Sequence, residues 1–493
     1  MDQQGTEHDE ADILITDGRI DRIGPGVAET APPGARVIDG RGKLAMPGLV
    51  NGHFHSPMNL IKGALDDMPL ELYMLYEVPP LAETPVTRDF AYLRTMLAAM
   101  DLLKQGVTAI HDDVFCIPTP TEDEMDGVMQ AYADSGIRAS VAINQPNLVE
   151  YEKLPFLADL IPPAVRAQMD AAPSLSEAAL IALNEDFIGR WHEHADGRLR
   201  CSLSCSAPQR VTPDYLAALS ALSARHDIPY NMHILETKLQ RVFGDQRFGK
   251  SLVRYAHEQG VLNERVVVIH AIWVDEDDIA LLAESGCSVA HNPICNLKLG
   301  SGVMPFPRLR DAGVNICLGI DEVPADDGMN LWTVGKMAGL IHKIADPEYL
   351  NWPKAPEILT ALTRGGAQAM GLAGRTGILA PGYAADLILL DLNTLAFTPL
   401  IDPYRQLVFC ETGSSVVMTI VNGEIVVEDG KLLTIDEEAI KQEVRALTPD
   451  IHRYLDTCRQ QAEALMPYYR EMYLRAAAQD VGLQRWVGLP QSA

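Results

Sequence analysis

The chain lacks any apolar run long enough to cross a bilayer. Its densest stretches, residues 266–269 and 387–390, are broken by His or Asp far short of the roughly 18 residues a span requires. Residues 1–12 carry Asp2, Glu7, Asp9, Glu10 and Asp12 with no basic or apolar segment, so they do not form a secretory signal, and a cytoplasmic protein is expected. Positive charge is scarce. With 40 Lys and Arg against 67 Asp and Glu the net charge is −27, which argues against nucleic acid or an anionic membrane surface as partner and favours a small neutral or cationic molecule. The eight cysteines show no regular spacing, and three residues separate Cys201 from Cys205 where a zinc knuckle has two. Reduced thiols are expected, with no disulfide framework. Low-complexity segments are missing too; 47% apolar and 22% charged residues over 493 positions describe an ordinary folded protein with room for a barrel and a smaller unit.

Both ends of the chain are β-like. Residues 11–47 alternate apolar and polar side chains around Asp17-Gly18 and again around Asp39-Gly40, dipeptides that favour tight hairpin turns. Residues 377–432 repeat the habit, with turns at Asn422-Gly423 and Asp429-Gly430. Neither run has enough strands to bury a face alone, so the two are expected to join in one small β-sandwich domain, 1–48 plus 376–435. Between them, 49–375 alternates β-branched runs with helical patterns. The expected strands end near His53, Asp112, Gln145, Ser206, His233, His270, His291 and Asp321. Eight such ends at βα spacing predict an α/β fold, a (β/α)8 TIM-type barrel with its site at the C-terminal strand ends. The tail, 436–493, reads as a C-terminal helical extension.

The sharpest motif is PGLVNGHFHSP, in which an apolar strand closes on His53-Phe54-His55. Residues i and i+2 of a strand share a face, so both imidazoles can enter the barrel mouth and share a metal. His233 ends the next informative strand, and Glu236 follows in the loop above it, where a proton shuttle belongs. His270 follows a β-branched run, and Asp321 ends the last strand. Three imidazoles and a carboxylate suit Zn²⁺ or a similar divalent ion. His270 is either a further ligand or a hydrogen-bond partner of metal-bound water. His291 either contacts substrate or ties down the loop after strand seven. His111-Asp112-Asp113 and Asn144-Gln145 either touch substrate or cap loops, and Asn296 is placed to orient the ligand. Cys287, Cys295 and Cys317 are expected as core or lining thiols and not as nucleophiles.

These motifs, together with HILET, VIHAIWVDEDDIALLAESGCSVAHNP, NLKLGSGV, LGID and PGYAADLILLDL, resemble the amidohydrolase superfamily along nearly the whole chain. The similarity is to the branch of cytosine deaminase, S-adenosylhomocysteine deaminase and the s-triazine hydrolases. It implies a metal held by His53, His55, His233 and Asp321, proton transfer by Glu236, and contact of His270 with hydroxide; His270 and Asp321 thus join Glu236 as catalytic residues. The strand-four text LRCSLSCSAPQ has no Lys to bridge two metals, so one divalent ion per chain is expected, Zn²⁺ first and Fe²⁺ second. Two departures bear on substrate. Ser206 stands where nucleoside deaminases have a His before Ser-Pro, which argues against a nucleoside thioether. Glu322-Val323-Pro324 replaces a Gly-rich continuation and sets a carboxylate beside the pocket. Gln145, Asn296, His291 and Glu322 are the candidate substrate contacts.

The expected reaction is hydrolytic deamination of an amino-substituted heteroaromatic compound of purine, pterin, pyrimidine or triazine type, releasing ammonia. The alternative is displacement of chloride or alkylamine from such a ring, or cleavage of an amide or urea bond. A metal-free scaffold would have lost ligands, and here all are present. Leu465, Tyr469 and Met472 form an apolar stripe on the tail that predicts a homodimer or higher homo-oligomer, unless the tail folds back on its own barrel.

Overall fold

In the computed structural model, which describes residues 8–487 apart from 66 and 84, β-branched and apolar runs form the predicted strands and pair in chain order. A hairpin of β1 (Asp12–Thr16) and β2 (Arg19–Gly24) is followed by β3 (Lys43–Pro47). Eight parallel strands come next: β4 (Leu49–Phe54), β5 (Val107–Phe115), β6 (Arg138–Asn144), β7 (Leu199–Ser204), β8 (Tyr230–Ile234), β9 (Val266–His270), β10 (Ser288–His291) and β11 (Asn315–Leu318). Apart from half-buried Asn315, every residue of these eight strands is buried, as expected of a parallel sheet covered on both faces.

The barrel closes through residues that matter for the site. Past β11 the chain bridges Phe54 with Asp321; Asp321 N donates to His53 O at 3.1 Å and His55 N donates to Asp321 O at 2.7 Å. Ile320 N adds a bond to Asn51 Oδ1 at 3.0 Å. Closure therefore sets the first strand's two imidazoles against the last strand's carboxylate.

The chain ends meet as expected. Strand β3 pairs antiparallel with β12 (Leu387–Asp391), and β13 (Val416–Val421), β14 (Glu424–Glu428) and β15 (Lys431–Leu432) continue the sheet. The β1–β2 hairpin packs on it through Ile13, Ile15, Ile20 and Ile23 against Leu387, Leu389, Met418 and Ile420, which makes a small sandwich. Two turns from opposite chain ends touch there: a Cβ on Gly18 would lie 2.7 Å from Asn422 O, and one on Gly423 would lie 2.7 Å from Gly18 Cα. With φ of 76° and 81°, both positions need glycine for space and for backbone. The hairpin expected at Asp39-Gly40 does not form. The Asp39 carboxylate instead takes the backbone and guanidinium N–H groups of Arg41, and the chain enters β3 from a loop with Val37 exposed.

The apolar stripe on the tail is buried within the chain itself. The helix Thr448–Ala477 lays Leu465, Tyr469 and Met472 against Leu75, Leu157, Ile161, Leu239 and Val242. This corrects the use of that stripe as a subunit contact: its partners are in the same chain, which removes the tail as a ground for expecting a homo-oligomer. No helix among the described residues is long and apolar enough to cross a membrane.

Candidate metal centre and active site

Strand ends β4, β8 and β9, the first residue past β4 and the residues after β11 converge at the barrel mouth. Ligand atoms of His53, His55 and His233 lie within 4.8 Å of one another, as do those of His53, His270 and Asp321. Asp321 Oδ1 is 3.3 Å from His53 Nε2 and 3.6 Å from His55 Nε2. All five residues are buried. The backbone at His270 (φ 77°) and Asp321 (φ 74°), with Ser206 (64°) and Leu235 (55°) beside them, is left-handed. For side chains other than glycine this costs about 1–3 kcal/mol each and clusters where a site demands it.

The ring tautomers are set from behind. His55 Nδ1 donates to Asp113 O at 2.5 Å and His233 Nδ1 donates to Ser206 O at 2.7 Å. Their Nε2 atoms then carry bare lone pairs and face each other at 3.3 Å. Two facing lone pairs in a buried site repel unless a cation sits between them. His53 Nε2 and Asp321 Oδ2 are also buried without a hydrogen-bond partner. This nitrogen and oxygen donor set fits a divalent ion such as Zn²⁺.

Electrostatics support the same arrangement. Burial drives His53 and His233 below the usual imidazole range, and His270 down to about 3. At His55 burial is outweighed by Asp321, Asp113 and Glu77, whose carboxylates favour positive charge at that spot. Burial alone would raise Asp321, but His53, His270 and His55 hold it far below the carboxylate range. Glu236 goes the other way: burial, then the charges of Asp321 and Glu71, push it well up. Its Oε2 lies 3.3 Å from His270 Nε2, which is 3.7 Å from Asp321 Oδ2. Asn296 Nδ2 donates to His270 Nδ1 at 2.9 Å, leaving the His270 proton on Nε2, where it faces both carboxyl groups.

The cavity above the cluster is lined by His55, His233, Glu236, His270, Asp321 and Glu322. Of the candidate substrate contacts, Glu322 is on this wall and the other three are not. Asn296 sits behind His270. Gln145 turns its amide to Pro146 O at 3.2 Å, while Asn144 lines the cavity in its place and donates to Asp113 Oδ2 at 3.1 Å. His291 Nε2 lies 3.1 Å from His342 Nε2, a pairing within the barrel. His111 bonds Ser202 and Asn231, and Asp112 accepts from Ser56 N and Tyr132 Oη, so both serve structure. Cys295 lines the cavity as a neutral thiol, its pKa raised by burial. Sequence reasoning missed the helix Leu70–Glu77, which supplies Leu70, Glu71, Met74 and Glu77, and missed Arg210 and Lys153.

Comparison with known proteins places this geometry. The amidohydrolase family model matches residues 44–426. The 5'-deoxyadenosine deaminase of Methanosarcina barkeri is 31% identical over 439 residues, covering 89% of this chain and 93% of its own. The 5-methylthioadenosine/S-adenosylhomocysteine deaminase of Syntrophobacter fumaroxidans is 30% identical, covering 92% and 96%. Among solved structures, an adenosine deaminase from Xanthomonas campestris with bound zinc superposes with a TM-score of 0.78 at 25% identity, covering 91% of this chain and 94% of that one. Atrazine chlorohydrolase from Arthrobacter aurescens TC1 complexed with zinc also gives 0.78 at 25%, covering 90% and 97%.

Proposed function

The chain belongs to the amidohydrolase family, and from that premise we propose that it is a metal-dependent aminohydrolase that replaces an amino group on a heteroaromatic ring by a carbonyl and releases ammonia. One observation carries the reading. Two carboxyl groups, Glu236 and Asp321, face the same imidazole, His270, with their proton affinities driven in opposite directions. Groups split in this way are suited to serve as acid and base in one reaction. We assign His53, His55, His233 and Asp321 as the ligands of one divalent ion per chain, Zn²⁺ by preference; when bound, such an ion supplies Lewis acidity that brings the pKa of water toward about 7.

The chain's own groups do the rest. Asp321 accepts a proton from the attacking water at a carboxylate oxygen. Glu236, held protonated by burial, donates from its carboxyl to the ring nitrogen next to the amino-bearing carbon and makes that carbon electrophilic. His270 Nε2–H donates to the oxygen that gains charge at that carbon. The proton left on the attacking oxygen passes through Glu236 to the departing amine, and the proton held by Asp321 then restores Glu236, so water and the ring amine become a ring carbonyl and ammonia. The unpaired state of all eight cysteines supports a reducing, cytoplasmic setting.

The test combines an ammonia-release screen across purines, pterins, pyrimidines and triazines, with chloride release followed in parallel on chlorotriazines, and two variants. Glu236→Gln should keep its metal and lose about 10²–10⁴-fold in kcat. His233→Ala should lose metal and activity together, with partial recovery on adding Zn²⁺. Ammonia release from no compound in the screen, or full activity in Glu236→Gln, would sink the proposal.

A further inference from the structure

Arg210 lines the cavity between the helix Leu70–Glu77 and the turn at Ser206. Its surroundings are acidic, and Glu71, Glu77 and Glu236 all feel its charge. Yet among the described residues no carboxylate forms an ion pair with it. Its guanidinium donates to a hydroxyl, Ser206 Oγ at 3.1 Å, and to a thioether, Met74 Sδ at 3.3 Å. A guanidinium carries five N–H donors and a thioether is a weak acceptor, so most of the fork's capacity is unspent. Lys153, the other cation on this wall, is matched by Glu150 Oε2 at 3.2 Å.

The same cavity shows the complementary shortage. Glu71 and Glu322, each 3% exposed, keep Oε2 atoms without a hydrogen-bond partner. Unspent donors and unpaired carboxyl oxygens on one wall describe a ligand that brings hydrogen-bonding groups for both. A site built this way leaves its buried polar groups unpaired when the wrong ring enters, and that is a strong source of discrimination. Arg210 is also held close to the metal cluster. The Ser206 whose Oγ takes its N–H gives its carbonyl to His233 Nδ1, so the guanidinium hangs on the turn that orients a proposed ligand.

We propose that Arg210 reads a carbonyl oxygen on the substrate ring, which makes the substrate an amino-oxo heteroaromatic compound that sets an acceptor oxygen beside N–H donors, as on the 2-amino-4-oxopyrimidine edge. The inference rests on the aminohydrolase reading and narrows its substrate class. Arg210 acts here as a specificity residue: it touches substrate and transfers no proton.

The experiment uses matched pairs that differ in the oxo group and the ring N–H that accompanies it, guanine against 2-aminopurine and isocytosine against 2-aminopyrimidine, with the zinc-loaded full chain. The oxo member of each pair should be favoured in kcat/KM by about 10²-fold or more. Arg210→Met should shrink that preference to within about tenfold, mainly through KM, and Arg210→Lys should recover part of it, with zinc content and melting temperature unchanged in both. Equal turnover of the paired compounds by the wild-type protein, or a preference that survives in Arg210→Met, overturns the inference. Calorimetric binding of xanthine and uracil, which carry carbonyls and no amine, separates it from the reading beneath it. If no amine is hydrolysed but xanthine or uracil binds and Arg210→Met abolishes that binding, the arginine's role stands and the aminohydrolase reading falls. If neither turnover nor binding occurs, both fall.

Discussion

The proton on His270 sits on Nε2 because Nδ1 accepts from Asn296 at 2.9 Å, with Asn292 Nδ2 at 3.4 Å behind it. An imidazole in that tautomer donates toward the reacting centre and has no lone pair there for a metal. Of the two roles open to His270 in the sequence, the arrangement therefore favours hydrogen bonding over ligation. Asn296→Leu keeps the branched shape and removes the donor. It should leave metal content intact and lower kcat by about 10- to 100-fold, the usual range for groups that orient a reactive imidazole; metal loss in that variant would instead make His270 a ligand. The pair His53 and His55 was legible in the sequence because strand periodicity alone puts both on one face. Gln145 misled for the same reason. Strand β6 stops at Asn144, and a shift of one residue exchanges the faces, so the neighbouring amide reaches Asp113 and the cavity. His291 misled because its partner, His342, lies 51 positions away on a helical segment with no motif to mark it.

Strand β6 also begins with a residue that joins the barrel to the small sandwich. Arg138 donates through Nε and Nη2 to the Asp386 carboxylate at 2.8 and 3.1 Å, and that carboxylate also takes Thr376 Oγ1 and Asn422 N. Burial would raise the Asp386 pKa, but Arg138 and these hydrogen bonds reverse it, and the group ends below the ordinary aspartate value. A depressed folded-state pKa means that the stabilisation is complete above the unfolded value near 4 and is lost as pH falls through the folded value. Asp386→Asn should therefore destabilise the chain at neutral pH by about 3–5 kcal/mol, because it leaves Arg138 buried and unpaired. It should also flatten the acid limb of the stability profile below about pH 4, and denaturant melts from pH 2 to 7 would read both effects. Pairing Arg138→Met with Asp386→Leu should restore part of the loss. The turn glycines that flank this junction were legible, since Asx-Gly announces a hairpin. Asp39-Gly40 announced one falsely because a local Asp39–Arg41 interaction satisfies the turn without a preceding strand. The helix Leu70–Glu77 gave no sequence signal for its part in the cavity: it buries Glu71 and Glu77 along with apolar residues, which blurs its amphipathic pattern.

For the molecule as a whole, the tail works as a brace. Its long helix backs the helix Leu70–Glu77, which forms one wall of the cavity, through Tyr469, Met472 and Leu465 against Leu75. Farther on, Arg485 donates to Ile272 O and Val274 O, and Trp486 donates to Gly300 O while its ring meets Trp273 edge-on at 5.2 Å. The tail thus ties together the segments that follow β9 and β10 with the wall opposite them. Helical periodicity made the tail's apolar stripe visible, but periodicity says only that a stripe is covered and nothing about which chain covers it. Tyr469→Ala separates the two cases. Removing a fully buried aromatic ring costs about 3–5 kcal/mol, and with all its partners in the same chain the fall in melting temperature should be the same at 1 and at 100 µM protein. A subunit contact would instead make the loss depend on concentration, because dissociation is then linked to unfolding. The variant should also raise KM more than it lowers kcat, since Leu75 and the cavity wall lose their support while His53, His55, His233 and Asp321 stay in place. A concentration-dependent melt, or a loss of bound metal as large as that in His233→Ala, would show that the tail acts across subunits or on the metal cluster and not as a brace within one chain.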